Sequence, residues 1–590
     1  MAELWNDLLY TDVMQSDGYV VDYAVLTTYS LDMPSLLSIP FTLGSMCDLS
    51  DAALRSPHLV LEAINTASGK FSVFCNAGCI AVPQNYSKIY KLLERSVFQV
   101  SLKRKGSVFI NFHPKVWVIK ETNPDTGESQ IKVVVLSRNL TCSNDLDVVC
   151  ELTGKIHNKT ATKKARIKHE PLSDFLLWLS DRCDRKAGKK IKSIIEDIQY
   201  IERFELHDSP FEDYDFFPMG IEGYDGFKQC LNGAILDHAA EIIVISPFVD
   251  NKTLASMTAN APKAKKTLIT RHSSINNEIL SLFNDGVYVP KEVLTDKVEK
   301  DITVDLHEKV YFVRNYQTRY NTLYLGSTNA TQNGFGRNVE FLLRLNFAPH
   351  KSSYDKFRNE LLFDGKECMF EKVNAVPTEI TPKENITDEL NLRKAISAII
   401  KANANKHGEV YSITIHCRNN KLPQIAITIY PMELEAKKCI LQDGIEFTQL
   451  ELSMLTEFFV ISVGDIKRII KIEVNDLPVE ERNTAIFRSI INTKHKFISY
   501  LAFMLTADVE QYILESQQLE KDMQASNNIT KEQELSISLY EDMVRMSYTN
   551  PERIAEIQTI IERADISVIP KHFREMYDVF KGVIKQIRRL

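Results

Sequence analysis

His113 and Lys115 stand two residues apart in SVFINFHPKVWVIK, Ser107 to Lys120. His307 and Lys309 repeat that spacing in DLHEKVYFVRN, which starts at Asp305. In an extended chain, side chains i and i+2 project to the same face. An imidazole and an ammonium on one face suit an anion. Both runs are apolar around the polar pair, so a buried strand carrying each pair is expected. Each is followed by a second strand-like run that ends in a small polar corner. The first is IKVVVLSRNLT, with Ser137 and Asn139; the second is NTLYLGSTNAT, with Ser327 and Asn329. A third run then carries an acid: Asp147 in NDLDVVCELTG and Glu340 in GRNVEFLLRLNF.

Brought together at a pseudo-twofold axis, the two copies make a phosphate site. Lys115 and Lys309 neutralise non-bridging oxygens, while Ser137, Ser327, Asn139 and Asn329 donate further hydrogen bonds. One imidazole can attack phosphorus in line, forming a phosphohistidine. The other protonates the leaving oxygen and later activates water. Asp147 and Glu340 would hold the rings in the needed tautomer. The lysines supply the positive charge, so neither a metal nor any other cofactor is expected. A single His-x-Lys is commonplace; two copies, each with Ser-x-Asn and an acid in the same order, are not.

The elements that must position these residues also repeat. AEIIVISPFVD (Ala240 to Asp250) and VDYAVLTTYSL (Val21 to Leu31) are buried strands that end in a turn. After each come a helical stretch and a short strand, KKTLITRHS from Lys265 and KFSVFCNAG from Lys70. Strands alternating with helices predict an α/β layered fold, with helices on the sheet faces. Residues 1–154 and 231–377 are the two halves, with a basic segment, 155–230, between them.

This arrangement resembles the phospholipase D superfamily, through His113-Pro114-Lys115, Ser137-Arg138-Asn139, His307-Glu308-Lys309, Gly326-Ser327-Thr328-Asn329 and Asn338-Val339-Glu340. The resemblance covers roughly residues 15–350. It implies two pseudo-symmetric α/β halves that each give one His-Lys motif to a shared active site. The fuller family pattern places an Asp four residues beyond the Lys, where this chain has Lys120 and Arg314. That departure is similar to the tyrosyl-DNA phosphodiesterase branch and to bacterial phospholipase D-like nucleases. The same similarity makes His113 the nucleophile and His307 the general acid/base. It sets Glu340 on His113 and Asp147 on His307, across the interface, although Asp147 is shorter than the Glu or Gln usual there.

Lys155 to Lys192 holds twelve Lys or Arg against four acids, and Lys103, Arg104 and Lys105 precede the first motif. On a chain of net charge −7 this clustering marks a polyanion binder. Nucleic acid, DNA ahead of RNA, is therefore the expected substrate. A phospholipase or phosphatidyl transferase is the second reading, and a catalytically silent nucleic-acid-binding scaffold the third.

The ten cysteines include no CxxC pair, so a zinc site of the usual spacing is not expected. MAELWNDLLY carries no signal-peptide pattern and no run reaches membrane-span length, which implies a soluble cytoplasmic protein without a membrane partner. Thr378 to Leu390 reads as a linker, 391–477 as a small antiparallel β domain and 478–590 as a helical region. The resemblance extends there to bacterial effector nucleases of anti-phage or restriction systems, with an ATPase or helicase partner docked by the C-terminal region. Oligomeric state is left open.

Overall fold

The computed structural model describes residues 13–587 except 44–56, 105–107, 143–146, 207–208, 226–234, 237, 260, 292–305, 319, 352, 364–369, 377–385, 506–538 and 548–550. It is a mixed α/β molecule built on four larger sheets and a short hairpin.

The first sheet contains β1 (Val20–Thr28), β2 (Phe71–Asn76), β3 (Val97–Val100), β4 (Val116–Thr122), β5 (Ser129–Leu136) and β6 (Val149–Lys155), in the order β3-β2-β1-β4-β5-β6. β1 and β2 pair in parallel across helices Met33–Leu43 and Pro57–Ala67, while β1 and β4 are antiparallel. The second sheet contains β7 (Asp213–Met219), β8 (Ala239–Ile245), β9 (Lys265–Ile269), β10 (Gly286–Pro290), β11 (Val310–Asn315), β12 (Asn321–Gly326), β13 (Glu340–Phe347) and β14 (Phe370–Val373). Its order is β14-β10-β9-β8-β11-β12-β13-β7. The six inner strands of this sheet, β10 to β13, follow the order of the whole first sheet. Central strands such as FSVFCN in β2 are buried along their whole length, because both faces of an α/β sheet are covered.

Three details differ from the sequence reading. The His-x-Lys pairs do not lie inside strands: 111–115 and 307–309 are extended lead-ins, and pairing into β4 and β11 starts at Val116 and Val310. In the first copy Pro114 has no N–H to give a ladder. Second, Asp213–Met219, read as part of the basic connecting segment, is the edge strand of the second sheet, paired with β13. Third, 386–390, read as linker, begins α3 (Ile386–Ala398). The basic segment itself folds as α1 (Lys163–Ser180) and α2 (Arg185–Ile198), with Thr162 and Asp184 capping their N-termini.

One core joins the two sheets. Val25, Val118 and Val133 of the first sheet share it with Ile243, Phe312 and Phe341 of the second and with Leu172 and Ile191 of α1 and α2. After α3 come two four-stranded sheets within 399–475, antiparallel except where Ile399–His407 meets Val474–Asn475 in parallel. Their interior takes in Leu392 and Ala395 of α3. Helices Val479–Ile490, Lys494–Leu505, Pro551–Arg563 and Lys571–Ile587 follow; part of the long helical reading, 506–538, lies outside the described residues. Among the described residues, no helix is long and apolar enough to cross a membrane.

Candidate active site

The lead-in before β4 is stitched to the strand that carries the second acid. His113 N–H donates to the Val339 carbonyl at 2.9 Å, and Val339 N–H donates to the Asn111 carbonyl at 2.9 Å. Glu340 is the next residue, so backbone pairing alone brings the acid of one sheet to the histidine of the other.

Glu340 Oε2 lies 2.8 Å from His113 Nδ1. A carboxylate there fixes the proton on Nδ1 and leaves the lone pair on Nε2. Lys115 Nζ stands 3.1 Å from that Nε2 and also donates to the His113 carbonyl at 3.1 Å. In the second motif Lys309 Nζ is 3.2 Å from His307 Nδ1 and donates to the His307 carbonyl. Asp147 Oδ1 approaches the same nitrogen to 3.4 Å. The shorter acid makes the longer of the two histidine contacts. Arg138 Nε lies 3.5 Å from the other Asp147 oxygen.

Ser137 and Ser327, expected to touch substrate, are fully buried and face the acids instead. Ser137 Oγ donates to Asp147 Oδ1 at 3.0 Å and accepts the Val148 N–H. Ser327 Oγ donates to Glu340 Oε2 at 2.5 Å and accepts the Phe341 N–H. In each case the hydroxyl proton is committed to the carboxylate and none remains for a phosphate. Asn139 and Asn329 sit half-buried at the corners after β5 and β12. Their corners are built alike: Leu140 N–H donates to Thr28 Oγ1 at 2.9 Å, and Ala330 N–H to Ser246 Oγ at 3.0 Å.

Burial dominates the electrostatics. Lys115 and Lys309 are 0% and 1% exposed. Desolvation pushes the Lys115 ammonium down to about 7, with Glu340 and Asp147 opposing. Lys309 is held well below the ordinary value by burial and then by Lys115. Burial likewise lowers His113, against the pull of Glu340. It lowers His307 too, helped by Lys309 and Lys115.

Further residues surround the paired groups: Asn338 and Glu308 stand inside the quoted motifs with no role read for them, and Arg393 stands outside them. Asn338 Nδ2 donates to Glu340 Oε1 at 3.1 Å, and its Oδ1 accepts the Asn111 N–H at 3.4 Å. Arg393 of α3 donates to Asn111 Oδ1 at 2.7 Å and to the Tyr29 hydroxyl at 3.3 Å. The Tyr29 ring lies 5.1 Å from the His113 ring. Glu308, between His307 and Lys309, is buried, and its carboxyl is pushed up to about 7 by burial and by Asp147. Asn338 precedes Glu340 by two residues, so the i/i+2 rule could have found it. Arg393 lies outside both copies, beyond the end of the second, and no repeat points to it. Among the described residues, no three or more His, Cys, Asp or Glu gather in metal-binding geometry.

No family model matches the sequence, and no curated protein matches it. Solved structures do. Yeast tyrosyl-DNA phosphodiesterase is similar at 10% identity with a TM-score of 0.34, over 58% of this chain and 86% of that one. Polyphosphate kinase from Porphyromonas gingivalis is similar at 11% identity and a TM-score of 0.30, over 59% of this chain and 43% of that one. NucT from Helicobacter pylori is similar at 18% identity and a TM-score of 0.20, over 25% of this chain and 95% of that one. The paired His-x-Lys motifs resemble those of the phospholipase D superfamily.

Proposed function

We propose that the chain is a phosphodiesterase that cleaves nucleic acid through a phosphohistidine, using one active site shared by two pseudo-symmetric halves. The observation that carries this is the crossed pairing: Glu340 of the second sheet on His113, and Asp147 of the first on His307, around two buried lysines.

A phosphodiester anion between Lys115 and Lys309 would return both ammoniums toward their ordinary charge. The Nε2 lone pair of His113 attacks phosphorus as the P–O bond to the leaving group breaks. His307, protonated, gives its proton to the departing oxygen. Water then attacks the phosphohistidine, losing a proton to His307. The P–N bond breaks and His113 is restored. Asn139 and Asn329 steady the non-bridging oxygens, and the two serines hold the acids.

The nucleic-acid assignment draws support from residues 155–192, where ten of the twelve basic residues are exposed, eight of them on α1 and α2. DNA is the favoured form, in a cytoplasmic anti-phage or restriction setting. We read the helical region as the docking surface for an ATPase or helicase partner; exposed Ile566 and Val579 support that reading.

Labelled single- and double-stranded DNA and RNA, incubated with purified protein in EDTA, test the proposal. Wild type should cleave, and His113→Ala and His307→Ala should each lose about 10³-fold or more. Cleavage by both variants at the wild-type rate would end it.

A further inference from the structure

Beside the second motif stands a ring that the proposed chemistry does not use. Phe248, just beyond β8, is 46% exposed. A lone exposed aromatic is ordinary; this one is built in. Ser246 Oγ donates to the Phe248 carbonyl at 2.8 Å, and Ser274 Oγ donates to the Pro247 carbonyl at 3.0 Å. Val249 forms a bridge with Ala330, the neighbour of Asn329. The Arg271 guanidinium lies 4.5 Å from the centre of the Phe248 ring. It also donates through Nε and Nη2 to the Leu306 carbonyl, at 3.2 and 3.0 Å, one residue before His307. Arg271 therefore ties the ring to the lead-in that carries His307, and its charge is felt by both His307 and Lys309.

We propose that Phe248 and Arg271 form a stacking subsite for the nucleobase flanking the scissile phosphate on the His307 side. A planar, electron-rich heterocycle can lie against an aromatic face or a guanidinium plane, and both surfaces are offered at the rim of an anion site. A lipid chain has no such plane, and a bare phosphate chain has nothing to stack. Stacking is tolerant of sequence, so the subsite selects for a base without selecting which base. It rests on the phosphodiesterase reading given above.

The test compares two labelled single-stranded oligodeoxynucleotides of equal length, one normal and one with tetrahydrofuran residues replacing every nucleoside. For wild type, the ratio of kcat/KM, normal over abasic, should be about 10 to 100. It should fall toward one in Phe248→Ala and in Phe248→Leu, which keeps apolar bulk without a π face, and persist in Phe248→Trp. Melting temperatures of all three variants should match wild type, since the side chain is surface-exposed. A ratio unchanged by Phe248→Ala overturns the subsite. A wild-type ratio near one, with His113→Ala inactive, also removes it and leaves the phosphodiesterase reading standing. Failure of wild type to cut either strand removes both.

Discussion

Lys115 is asked to be charged in a place that penalises charge. It is fully buried, and its ammonium is pushed down to about 7 from an ordinary 10.5. Because kcat/KM reports the free enzyme's ionisations, the rate on any diester should fall as pH rises through about 7, when Lys115 loses its proton. On the acid side His113 must be neutral, and its pKa lies below the usual imidazole value, so the optimum falls on the acid side of neutrality. A pH series should show both limbs; Lys115→Arg, which cannot deprotonate, should reshape the alkaline one, to which His307 and Lys309, both lowered by burial and both needed charged, also contribute. An alkaline limb identical in wild type and Lys115→Arg would assign that ionisation elsewhere. The same burial predicts a stability effect. The folded pKa is depressed, so the penalty is fully present below about 7 and fades as pH climbs toward 10.5. Lys115→Met should therefore raise the melting temperature near pH 6, by about 1–2 °C for each 1 kcal/mol gained in a unit of this size, with the gain shrinking at alkaline pH. At this scale the placement was legible in sequence where a residue type recurred in register: both His-Lys pairs and both acids meet, and both asparagines stand at matching corners. What a hydroxyl faces was not legible. Ser137 and Ser327 look like phosphate ligands in one dimension and turn out to be bound to Asp147 and Glu340.

An element can reach the site without carrying a motif, as α3 does. Its Arg393 holds Asn111, Asn111 meets Asn338, Asn338 holds Glu340, and Glu340 orients His113. A second contact, to Tyr29, braces the other side of the His113 ring. Arg393 is thus a positioning residue for a ring some four contacts away. Displacing a reacting group by about 1 Å costs on the order of 10²-fold in rate, so Arg393→Ala should lower kcat by about that much with little change in KM. The acid limb should also move to lower pH, because Glu340 is what raises the His113 pKa and a loosened carboxylate raises it less. A KM effect alone, with an unmoved acid limb, would make Arg393 a substrate contact instead. Strands of the two main sheets were readable from their apolar runs. β7 was not, since DYDFFPM mixes acids with Pro218, and Pro is tolerated only where a strand lies at an edge, which is where β7 lies. The start of α3 was hidden by the polar stretch before it; its inward residues, Leu392 and Ala395, pack into a domain that sequence placed after the helix began.

Across the whole molecule, charge is divided rather than balanced. The chain carries −7 overall, yet α1 and α2 turn Lys163, Lys164, Arg166, Arg185, Lys186, Lys189, Lys190 and Lys192 outward. The regions after α3 are anchored on the opposite logic: Arg482 pairs with Glu94 and Glu433 with Lys91, buried cations matched to acids across the contact with the short helix Lys88–Ser96 that precedes β3. The outward set is placed to meet a polyanion. It is also connected to the chemistry. Arg182 lies 3.6 Å from the Trp178 ring, Trp178 stacks on Phe112 at 6.0 Å, and Phe112 precedes His113. A strand laid along the start of α2 would pass that column on its way to the histidine. Each phosphate contact on a single strand contributes about −0.7 to the slope of log K against log salt. Replacing Lys186, Lys189 and Lys190 together with Gln should therefore flatten that slope by up to about 2, as read by fluorescence anisotropy of a labelled single strand between about 50 and 200 mM salt. Turnover at saturating substrate should hold, because none of the three touches the site. Slopes that stay parallel in wild type and variant would mean that the strand approaches His113 from another face, and that the basic helices serve only to keep an acidic protein's surface solvated.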